Sequence, residues 1–442
     1  MMKSAFLLAA LSSGQGKTTL TLALSEMLKE KGMRPIIYKT GPDYLDASFY
    51  NGYNLDLYFL DENTLKSFFF TTSEKYDVSL VEGVMGVYDG SGIDSVHASS
   101  AHMAKTLDIP IILILTPGGS VLTVVSILKG IIEFDKEILF KGVIFNKLKT
   151  DHHYKLLKDA VERYTSLKVY GYLPYDNSLA IPERHLGIFP SWEKNINKES
   201  FLSYEKYINL NKILEDTKVE LKVFKKFKYP THNIDVNIGI AQDRTFCFYY
   251  KENLELLRSL GANIIYVSPI EDPVVLPDID ILYIGGGYPE LYMDELSDNS
   301  SFLHSLKVFG DSRPIYAECG GLMYLSRNIT YKGKTKKMAA LFNGEIKFSN
   351  KIQGLGYRTI KTKEKTIFGD RGTILKGHEF HYSFLSYDGN LSYLYKLYKK
   401  NKLLKEDGIP LSSGGIASYT HLYFLSNIDA IYNMLKNVKR RR

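Results

Sequence analysis

The chain has 442 residues, of which 45% are hydrophobic and 24% charged, with a formal net charge of +7. This composition excludes a disordered or collagen-like chain and is typical of a globular protein with two or three domains. Two cysteines cannot build a disulfide framework or a four-thiolate metal site, which favours a reducing cytoplasm. The longest apolar run, residues 109–115, is far shorter than the ~20 residues that a bilayer requires, so we expect no membrane partner. We interpret the basic residues 439–442 as a solvated terminus and expect no nucleic-acid partner.

Strand-like apolar runs alternate with helical periodicity along the chain. The first series predicts strands at residues 5–11, 35–39, 78–82, 109–115, 142–146 and 169–173, with helices at 18–32 and 95–107. The second series predicts strands at 236–241, 263–268, 279–284 and 314–317, with helices at 252–260 and 322–326. Continuous apolar strands between helices indicate parallel sheets that are covered on both faces. We therefore predict an α/β fold of two doubly wound domains, divided near residue 230.

The segment after the first predicted strand has the composition of a phosphate-binding loop. It contains Gly14, Gly16, Lys17, Thr18 and Thr19, and an amphipathic helix follows. Glycines let backbone N–H groups face an anion, the lysine reaches the outer phosphates, and the first threonine can bind Mg²⁺. The loop is a deviant one, because a leucine stands at position 11, where the usual pattern has its first glycine. We predict that ATP binds here with Mg²⁺; the alternative is a turn of small residues that caps the helix.

Acidic residues follow two other predicted strands. Asp43 and Asp46 lie in the loop after the second strand, and Glu82 ends the strand at 78–82. Ligands of open α/β sheets collect at the carboxyl ends of the strands, so these acids are candidates to bind Mg²⁺ or to position substrate and water. Each acid alone fits a loop cap equally well. Asn146 is a candidate to bind adenine through its amide, and a structural asparagine is the alternative.

The second half of the chain contains a strand, a sharp turn and a helix, with Cys319 at the turn. Gly320 gives the backbone room for an elbow, and the helix N-terminus favours a thiolate. Gly286 and Gly287 follow another strand, and their N–H groups are candidates for an oxyanion hole. The alternative is a buried apolar cysteine, which fits Cys247 between two phenylalanines much better.

A thiol nucleophile needs a base, and His421 is the first candidate because it lies in the last predicted strand of this domain. His378 and His381 compete for the role, and the structural alternative is a satisfied strand histidine. A nucleotide site and a cysteine hydrolase site in one chain indicate that ammonia, freed from glutamine, is delivered to an activated carboxylate.

Seven segments of the chain, in order, resemble the cobyrinic acid a,c-diamide synthase family. They are residues 39–46, 82–90, 182–187, 248–250, 285–290, 317–325 and 377–383. The resemblance implies an ATP-binding amide synthetase domain at residues 1–190, like dethiobiotin synthetase and with a P-loop NTPase-like parallel sheet. It implies a helix and linker at 191–234 and a class I glutamine amidotransferase domain at 235–442. In that class a glutamate commonly stands two residues after the histidine, where this chain has Tyr423, so the third member of the triad stays unassigned.

The resemblance also implies the activity, an ATP- and glutamine-dependent amidation of the a- and c-acetate carboxylates of cobyrinic acid in cobalamin biosynthesis. The partners are then L-glutamine and a corrinoid or related tetrapyrrole, and we also consider a homodimer. Arg184 and His185 are candidates to hold the substrate carboxylates, with surface salt bridges as the alternative. Hydrogenobyrinic acid and nickel sirohydrochlorin are alternative substrates, cobyric acid synthase is an alternative enzyme, and a partitioning-type ATPase is a non-enzymatic alternative.

Overall fold

The structure is a computed structural model that describes residues 2–43, 50, 52–92, 96–176, 183–184, 187–188, 198–220, 225–387, 389 and 391–440. The chain forms two compact units, Met1–Lys228 and Tyr229–Arg442. Each unit has a largely parallel sheet at its centre, as the sequence predicts. Two of the predicted site residues, Asp46 and His185, lie outside the described residues. In the described part of the chain, no helix is both long and apolar enough to cross a membrane.

The sheet of the first unit has seven parallel strands in the order β3-β2-β4-β1-β5-β6-β7. They are β1 (Met2–Ala10), β2 (Pro35–Thr40), β3 (Tyr53–Leu55), β4 (Val78–Glu82), β5 (Ile111–Leu115), β6 (Phe140–Leu148) and β7 (Lys168–Pro174). The short strands β8 (Glu183–Arg184) and β9 (Gly187–Ile188) pair with each other, and β10 (Lys218–Glu220) pairs antiparallel with β1. Every residue of β5 is buried, as expected for a strand with helices on both faces.

The helices of the first unit are α1 (Lys17–Glu30), α2 (Glu62–Ser73), α3 (Ser100–Leu107), α4 (Leu122–Phe134), α5 (Asp151–Tyr164) and α6 (Leu210–Asp216), and a 3₁₀ helix spans Lys198–Tyr207. Side-chain caps define several of their starts. Asp61 accepts hydrogen bonds from two backbone N–H groups at the start of α2, and Ser99 and Thr150 cap α3 and α5 in the same way.

The core of the first unit includes part of the segment that we predicted as helix and linker. Phe201 and Tyr204 of the 3₁₀ helix and Ile213 of α6 are buried in one apolar cluster with Leu20 and Leu24 of α1. Residues 198–216 therefore pack over α1, the helix that follows the phosphate loop.

Loops that follow β1 and β4 meet at the carboxyl edge of the first sheet, because these two strands are neighbours. The N–H of Gly83 donates to Leu8 O (2.8 Å), and the N–H of Val87 donates to Ala10 O (2.8 Å). The phosphate loop therefore lies directly beside residues 83–87.

The central sheet of the second unit has the order β13-β11-β14-β16-β26-β25, parallel except for β25. Its strands are β11 (Val236–Ala241), β13 (Ala262–Val267), β14 (Ile281–Ile284), β16 (Ile315–Glu318), β25 (Ile409–Pro410) and β26 (Ile416–Ser418). Its helices are α7 (Lys251–Ser259), α8 (Met293–Asp298), α9 (Ser300–Ser312), α10 (Gly320–Leu325) and α11 (Ile428–Lys439). Apolar side chains of α9 and α10 share one buried cluster with β14 and β16.

Three further sheets of this unit were not predicted. A five-stranded antiparallel sheet has the order β24-β23-β20-β21-β27, a four-stranded sheet has the order β18-β17-β19-β22, and β12 pairs with β15. The strands are β12 (Phe246–Phe248), β15 (Gly286–Gly287), β17 (Asn328–Tyr331), β18 (Lys334–Lys337), β19 (Glu345–Phe348), β20 (Gly354–Thr362), β21 (Ile374–His381), β22 (Ser383–Ser386), β23 (Tyr395–Lys399), β24 (Lys402–Asp407) and β27 (His421–Leu422). His421 thus lies in the last strand, but in the antiparallel sheet.

Candidate active sites

The phosphate loop of the first unit is shaped by glycines in the left-handed region, with φ of 74° at Gly14 and 92° at Gly16. A Cβ atom on Gly16 would lie 2.2 Å from Nδ2 of Asn146, so no larger residue fits there. The same Asn146 amide donates to Gln15 O at 2.7 Å. Asn146 therefore supports the loop from the end of β6, and its contact with adenine stays a prediction.

Lys17 is buried at the start of α1 and lies across the loop. Its ammonium group donates to Ser12 O (3.0 Å) and to Met85 O (2.7 Å). Met85 belongs to the loop after β4 and has a φ of 48°, a left-handed backbone that is strained for a residue other than glycine. The two loops thus direct backbone carbonyls at one lysine. Thr19 is half-buried in the first turn of α1.

Glu82 is the fully buried centre of a polar cluster beneath the phosphate loop. Its Oε1 accepts from Thr18 Oγ1 (2.7 Å) and from Lys39 Nζ (2.7 Å), and its Oε2 accepts from Tyr50 OH (3.4 Å). The structure therefore brings Thr18 and Glu82 together. Lys39 was not predicted as a site residue; the available signal was a lysine in the apolar run of β2, directly opposite Glu82 in the sheet.

Asp43 lies at the edge of this cluster. Its Oδ2 is 3.9 Å from Lys39 Nζ, and Asn54 Nδ2 donates to its backbone carbonyl at 3.0 Å. Among the described residues, no group of three or more His, Cys, Asp or Glu side chains is arranged to hold a metal ion. Arg184, the other predicted contact for substrate, lies in β8.

Cys319 forms a sharp elbow in the second unit. It follows β16, precedes α10, and has φ 48° and ψ −101°. This conformation is strained for a cysteine and costs about 1–3 kcal/mol, a cost that recurs at functional sites. The N–H of Cys319 donates to Ser418 O at 2.7 Å, which holds the elbow against β26. The prediction of a strand, an elbow and a helix at this position is confirmed.

The glycines around Cys319 are packed too closely for any side chain. A Cβ atom on Gly320 would lie 2.8 Å from Gly287 N, and one on Gly286 would lie 2.2 Å from Cε1 of His421. The structure therefore brings the elbow, the glycine loop and His421 together, and their catalytic roles stay predictions.

His421 is buried and faces acid and base groups of neighbouring strands. Its Nδ1 is 3.9 Å from Oε2 of Glu318, and it pairs with His378 of β21 across the antiparallel sheet. Burial lowers the pKa of His421 to about 3, with further lowering by His378 and His381, so the ring is a neutral base at pH 7. His381 is engaged elsewhere: its Nδ1 donates to Ser383 O at 2.8 Å and its ring stacks on Tyr419.

The electrostatics of Cys319 differ from the prediction. Burial raises the pKa of the thiol, the nearby Glu290 carboxylate raises it further, and the N–H of Gly320 acts in the opposite direction. The expected thiolate is therefore wrong for the resting structure, because the six residues of α10 do not offset these two effects. Sequence reasoning missed Glu290 and Glu318; the available signal for Glu318 was a carboxylate directly before the nucleophile.

Comparison with known proteins matches both units. Residues 6–188 match the CobQ/CobB/MinD/ParA nucleotide binding domain, and residues 237–428 match the CobB/CobQ-like glutamine amidotransferase domain. The chain is 36% identical over 452 residues to a cobyrinate a,c-diamide synthase of Listeria monocytogenes serotype 4b, with 98% of this chain and 99% of that protein covered. The chain belongs to the cobyrinate a,c-diamide synthase family.

A second member, from Caldanaerobacter subterraneus, is 38% identical over 403 residues and covers 88% of each chain. The MinD cell division protein of Aquifex aeolicus matches 48% of this chain and 94% of its own, with 15% identity and a TM-score of 0.32. Membership makes the chain a glutamine-dependent ligase of cobalamin biosynthesis with an ATP-binding domain. The predicted family and the predicted two-domain α/β organisation are confirmed.

Proposed function

We propose that the chain catalyses the ATP- and glutamine-dependent amidation of the a- and c-acetate carboxylates of cobyrinic acid. The observation that carries this proposal is the presence of two candidate sites in one chain. The first unit holds Lys17, Thr18 and Glu82 around a phosphate loop, and the second holds Cys319 and His421 at an elbow. The relatives named cobyrinate a,c-diamide synthase, matched over nearly the whole chain, support the choice of substrate.

In the first half-reaction, an oxygen of the substrate carboxylate attacks the γ-phosphorus of ATP. The bond to the β,γ-bridging oxygen breaks, ADP is released, and the substrate becomes an acyl phosphate. Lys17 neutralises charge on the transferred phosphoryl group, because its ammonium already lies across the phosphate loop. Ammonia then attacks the acyl carbon, phosphate leaves with the C–O electron pair and takes up the proton that the nitrogen loses, and the amide remains. Repetition at a second carboxylate gives the diamide.

Thr18, Glu82 and Asp43 would hold Mg²⁺ at this site. The fit rests on the Thr18 hydroxyl, which lies 2.7 Å from the Glu82 carboxylate at the end of the phosphate loop. Proteins that transfer phosphoryl groups commonly bind Mg²⁺ with one such hydroxyl, one or two carboxylates and the phosphate oxygens themselves. When bound, the ion would supply positive charge to the β- and γ-phosphates. Asp46 is proposed to position the attacking carboxylate.

In the second half-reaction, His421 takes the proton of the Cys319 thiol, and the sulfur attacks the side-chain carbonyl carbon of glutamine. The oxyanion is bonded by backbone N–H groups of the glycine loop and the elbow, for which Gly286, Gly287 and Gly320 are the candidates. His421 returns the proton to the leaving nitrogen, ammonia departs, and a thioester remains. Water, deprotonated by His421, hydrolyses the thioester to glutamate and restores the thiol.

The contacts to the substrate and the cellular compartment belong to the same proposal. Arg184 and His185 bind carboxylates of the polyanionic substrate, since a guanidinium pairs well with carboxylates. We place the reaction in the cytoplasm, because it consumes ATP and needs a reduced thiol. The homodimer stays a prediction.

Product mass tests the proposal directly. The chain is incubated with ATP, Mg²⁺, glutamine and, in separate reactions, cobyrinic acid, hydrogenobyrinic acid or nickel sirohydrochlorin. We expect two amidations of cobyrinic acid. Four amidations would assign the chain to cobyric acid synthesis instead, and ATP hydrolysis with no amide product from any of the three would contradict the proposal.

A further inference from the structure

A glutamate directly before the nucleophile occupies an unusual environment. Glu318, the last residue of β16, is 2% exposed. Its Oε2 accepts from Tyr283 OH at 2.8 Å, and its Oε1 accepts from Leu422 N at 2.8 Å and from Tyr316 OH. An ionised carboxylate is a pure acceptor with about four lone-pair sites, so three donors fit its ionised form and leave room for a fourth.

The Oε2 atom of Glu318 also lies near the ring of His421. The Nδ1 of this ring is 3.9 Å from Oε2 of Glu318, and the histidine is 1% exposed. Leu422, whose N–H binds Glu318, is the next residue in β27, so the main chain of the histidine is tied to the same carboxylate. The separation needs to shorten by about 1 Å to make a hydrogen bond, and catalytic hydrogen bonds are often long before substrate binds.

The position two residues after the histidine, where class I glutaminases commonly have a glutamate, holds a phenol in this chain. Tyr423 is fully buried, and its ring packs edge-on against Tyr250 with centroids 5.2 Å apart. A neutral phenol does not stabilise an imidazolium as a carboxylate does. The structure instead offers the carboxylate of Glu318, the last residue of the strand that precedes the nucleophile.

We propose that Glu318 is the positioning residue of the glutaminase site, which orients His421 through Nδ1 and completes a Cys-His-Glu arrangement. The inference rests on the proposed glutaminase chemistry of Cys319. Glu318 accepts the Nδ1–H, which leaves the Nε2 lone pair to take the thiol proton. When His421 becomes an imidazolium, the carboxylate at its other nitrogen stabilises the positive charge.

The surroundings of Glu318 also set a pH dependence. Burial raises the pKa of Glu318 to about 7, against the lowering by Tyr316, the N–H of Leu422 and Tyr283. The titratable groups that face it are His421, Cys319, Tyr249, Tyr283, Tyr316 and Tyr395. Because only the ionised carboxylate orients the base, glutamine hydrolysis rises with pH through an acid limb near 7.

The test compares Glu318→Gln with the wild-type chain. The substitution keeps the size of the side chain and removes its charge. We expect the kcat of glutamine hydrolysis to fall roughly 10²-fold with little change in KM, and the acid limb near pH 7 to disappear. Alkylation of Cys319 by iodoacetamide should slow in parallel, while synthesis with ammonia stays at the wild-type rate because the first unit is untouched.

A second variant, Tyr283→Phe, tests the same inference if Glu318→Gln folds poorly. Tyr283→Phe removes a hydroxyl that donates to Glu318 and lowers the pKa of this carboxyl group. The substitution should therefore raise the pKa of Glu318. We expect the acid limb to move to higher pH by about 1 unit. Tyr423→Phe removes a buried hydroxyl at the position two residues after the histidine and should leave the limb where it is.

The outcomes separate this inference from the proposed function. If Cys319→Ala abolishes glutamine hydrolysis while Glu318→Gln retains the wild-type kcat and acid limb, Glu318 has no positioning role and the proposed function stands. An unmoved limb in Tyr283→Phe, or a limb displaced equally by Tyr423→Phe, also overturns the inference. Full hydrolysis by Cys319→Ala would contradict the proposed function itself.

Discussion

Each of the two units buries a glutamate at the carboxyl end of a parallel strand, and the two carboxylates have different partners. Glu82 at the end of β4 receives the ammonium of Lys39 and the hydroxyl of Thr18, both at 2.7 Å. Glu318 at the end of β16 is bonded by the tyrosines 283 and 316 and by one backbone N–H, which are neutral donors.

The difference shows how one type of residue serves two chemistries. A carboxylate in an ion pair has a cation in place that compensates the cost of its burial. A buried carboxylate with neutral donors lacks that compensation, so burial raises the pKa of Glu318 to about 7, within reach of the proton transfers of a hydrolase. The two sites are therefore expected to fail independently when either is altered.

Cys319→Ser has the largest expected effect. Synthesis with glutamine should fall ~10⁴-fold or more, because the hydroxyl is a far weaker nucleophile than the thiol in this site. Synthesis with ammonia should stay near the wild-type rate. Cys247→Ser, at the other cysteine of the chain, is the matched control and should leave both activities intact. Full glutamine-dependent synthesis by Cys319→Ser would show that Cys319 is not the nucleophile.

Lys17→Ala should lower synthesis ~10³-fold with either nitrogen source, because the ammonium that neutralises the phosphoryl group is lost. A slow glutamine hydrolysis should persist. ADP and glutamate release are measured side by side, with Lys29→Ala, at the other end of α1, as the control. Loss of glutamine hydrolysis with normal ATP turnover would mean that the first unit holds the glutaminase site and the second unit the ATP site.

The pH dependence of the unfolding free energy tests this difference between the two carboxylates. The pKa of Glu318 is raised from 4.5 to about 7, so the folded chain holds this proton more tightly than the unfolded chain. The stability from that proton is fully present below pH 4.5 and is lost as the pH rises to about 7.

Relative to Glu318→Gln, the wild-type chain should therefore lose about 3 kcal/mol of unfolding free energy between pH 4.5 and 8. Urea unfolding at the two pH values measures this difference. A constant gap between wild type and variant would mean that Glu318 does not titrate in this range.

Asp46→Asn tests whether the loop after β2 belongs to the synthetase site. A residue that positions metal or substrate should lose ~10²-fold in turnover with ammonia, whereas a loop cap should lose almost nothing because asparagine caps as well as aspartate. We expect the loss, with an unchanged melting temperature and intact glutamine hydrolysis. Asp61→Asn, at the established cap of α2, is the control and should retain full turnover. Equal turnover in both variants would make Asp46 a cap.

The sequence predicted those parts of the molecule that depend on local patterns. The apolar runs of β1, β4 and β5 and the elbow at Cys319 follow from composition and spacing, and the structure confirms them. The antiparallel sheet with β20 and β21 was missed, because these strands mix polar, charged and apolar residues without a continuous apolar run. In addition, β21 pairs with β27, which lies about forty residues further along the chain.

The partners of the two glutamates were also missed, for the same physical reason. Lys39 meets Glu82 only because β2 and β4 pair in a particular register. Glu318 approaches His421 only because β27 returns beside β16 after about a hundred residues of chain. The pKa of Cys319 depends on burial and on Glu290, neither of which appears in the local pattern of strand, elbow and helix.

Transfer of labelled nitrogen tests the central claim, that one chain couples a glutaminase to an ATP-dependent synthetase. The chain is incubated with cobyrinic acid, ATP, Mg²⁺ and glutamine labelled with ¹⁵N in its side-chain amide, and product mass and ADP are measured together. The account predicts two ¹⁵N atoms and two ADP for each molecule of product. An amidated product without label in the absence of free ammonia, or labelled product formed without ADP, would contradict it.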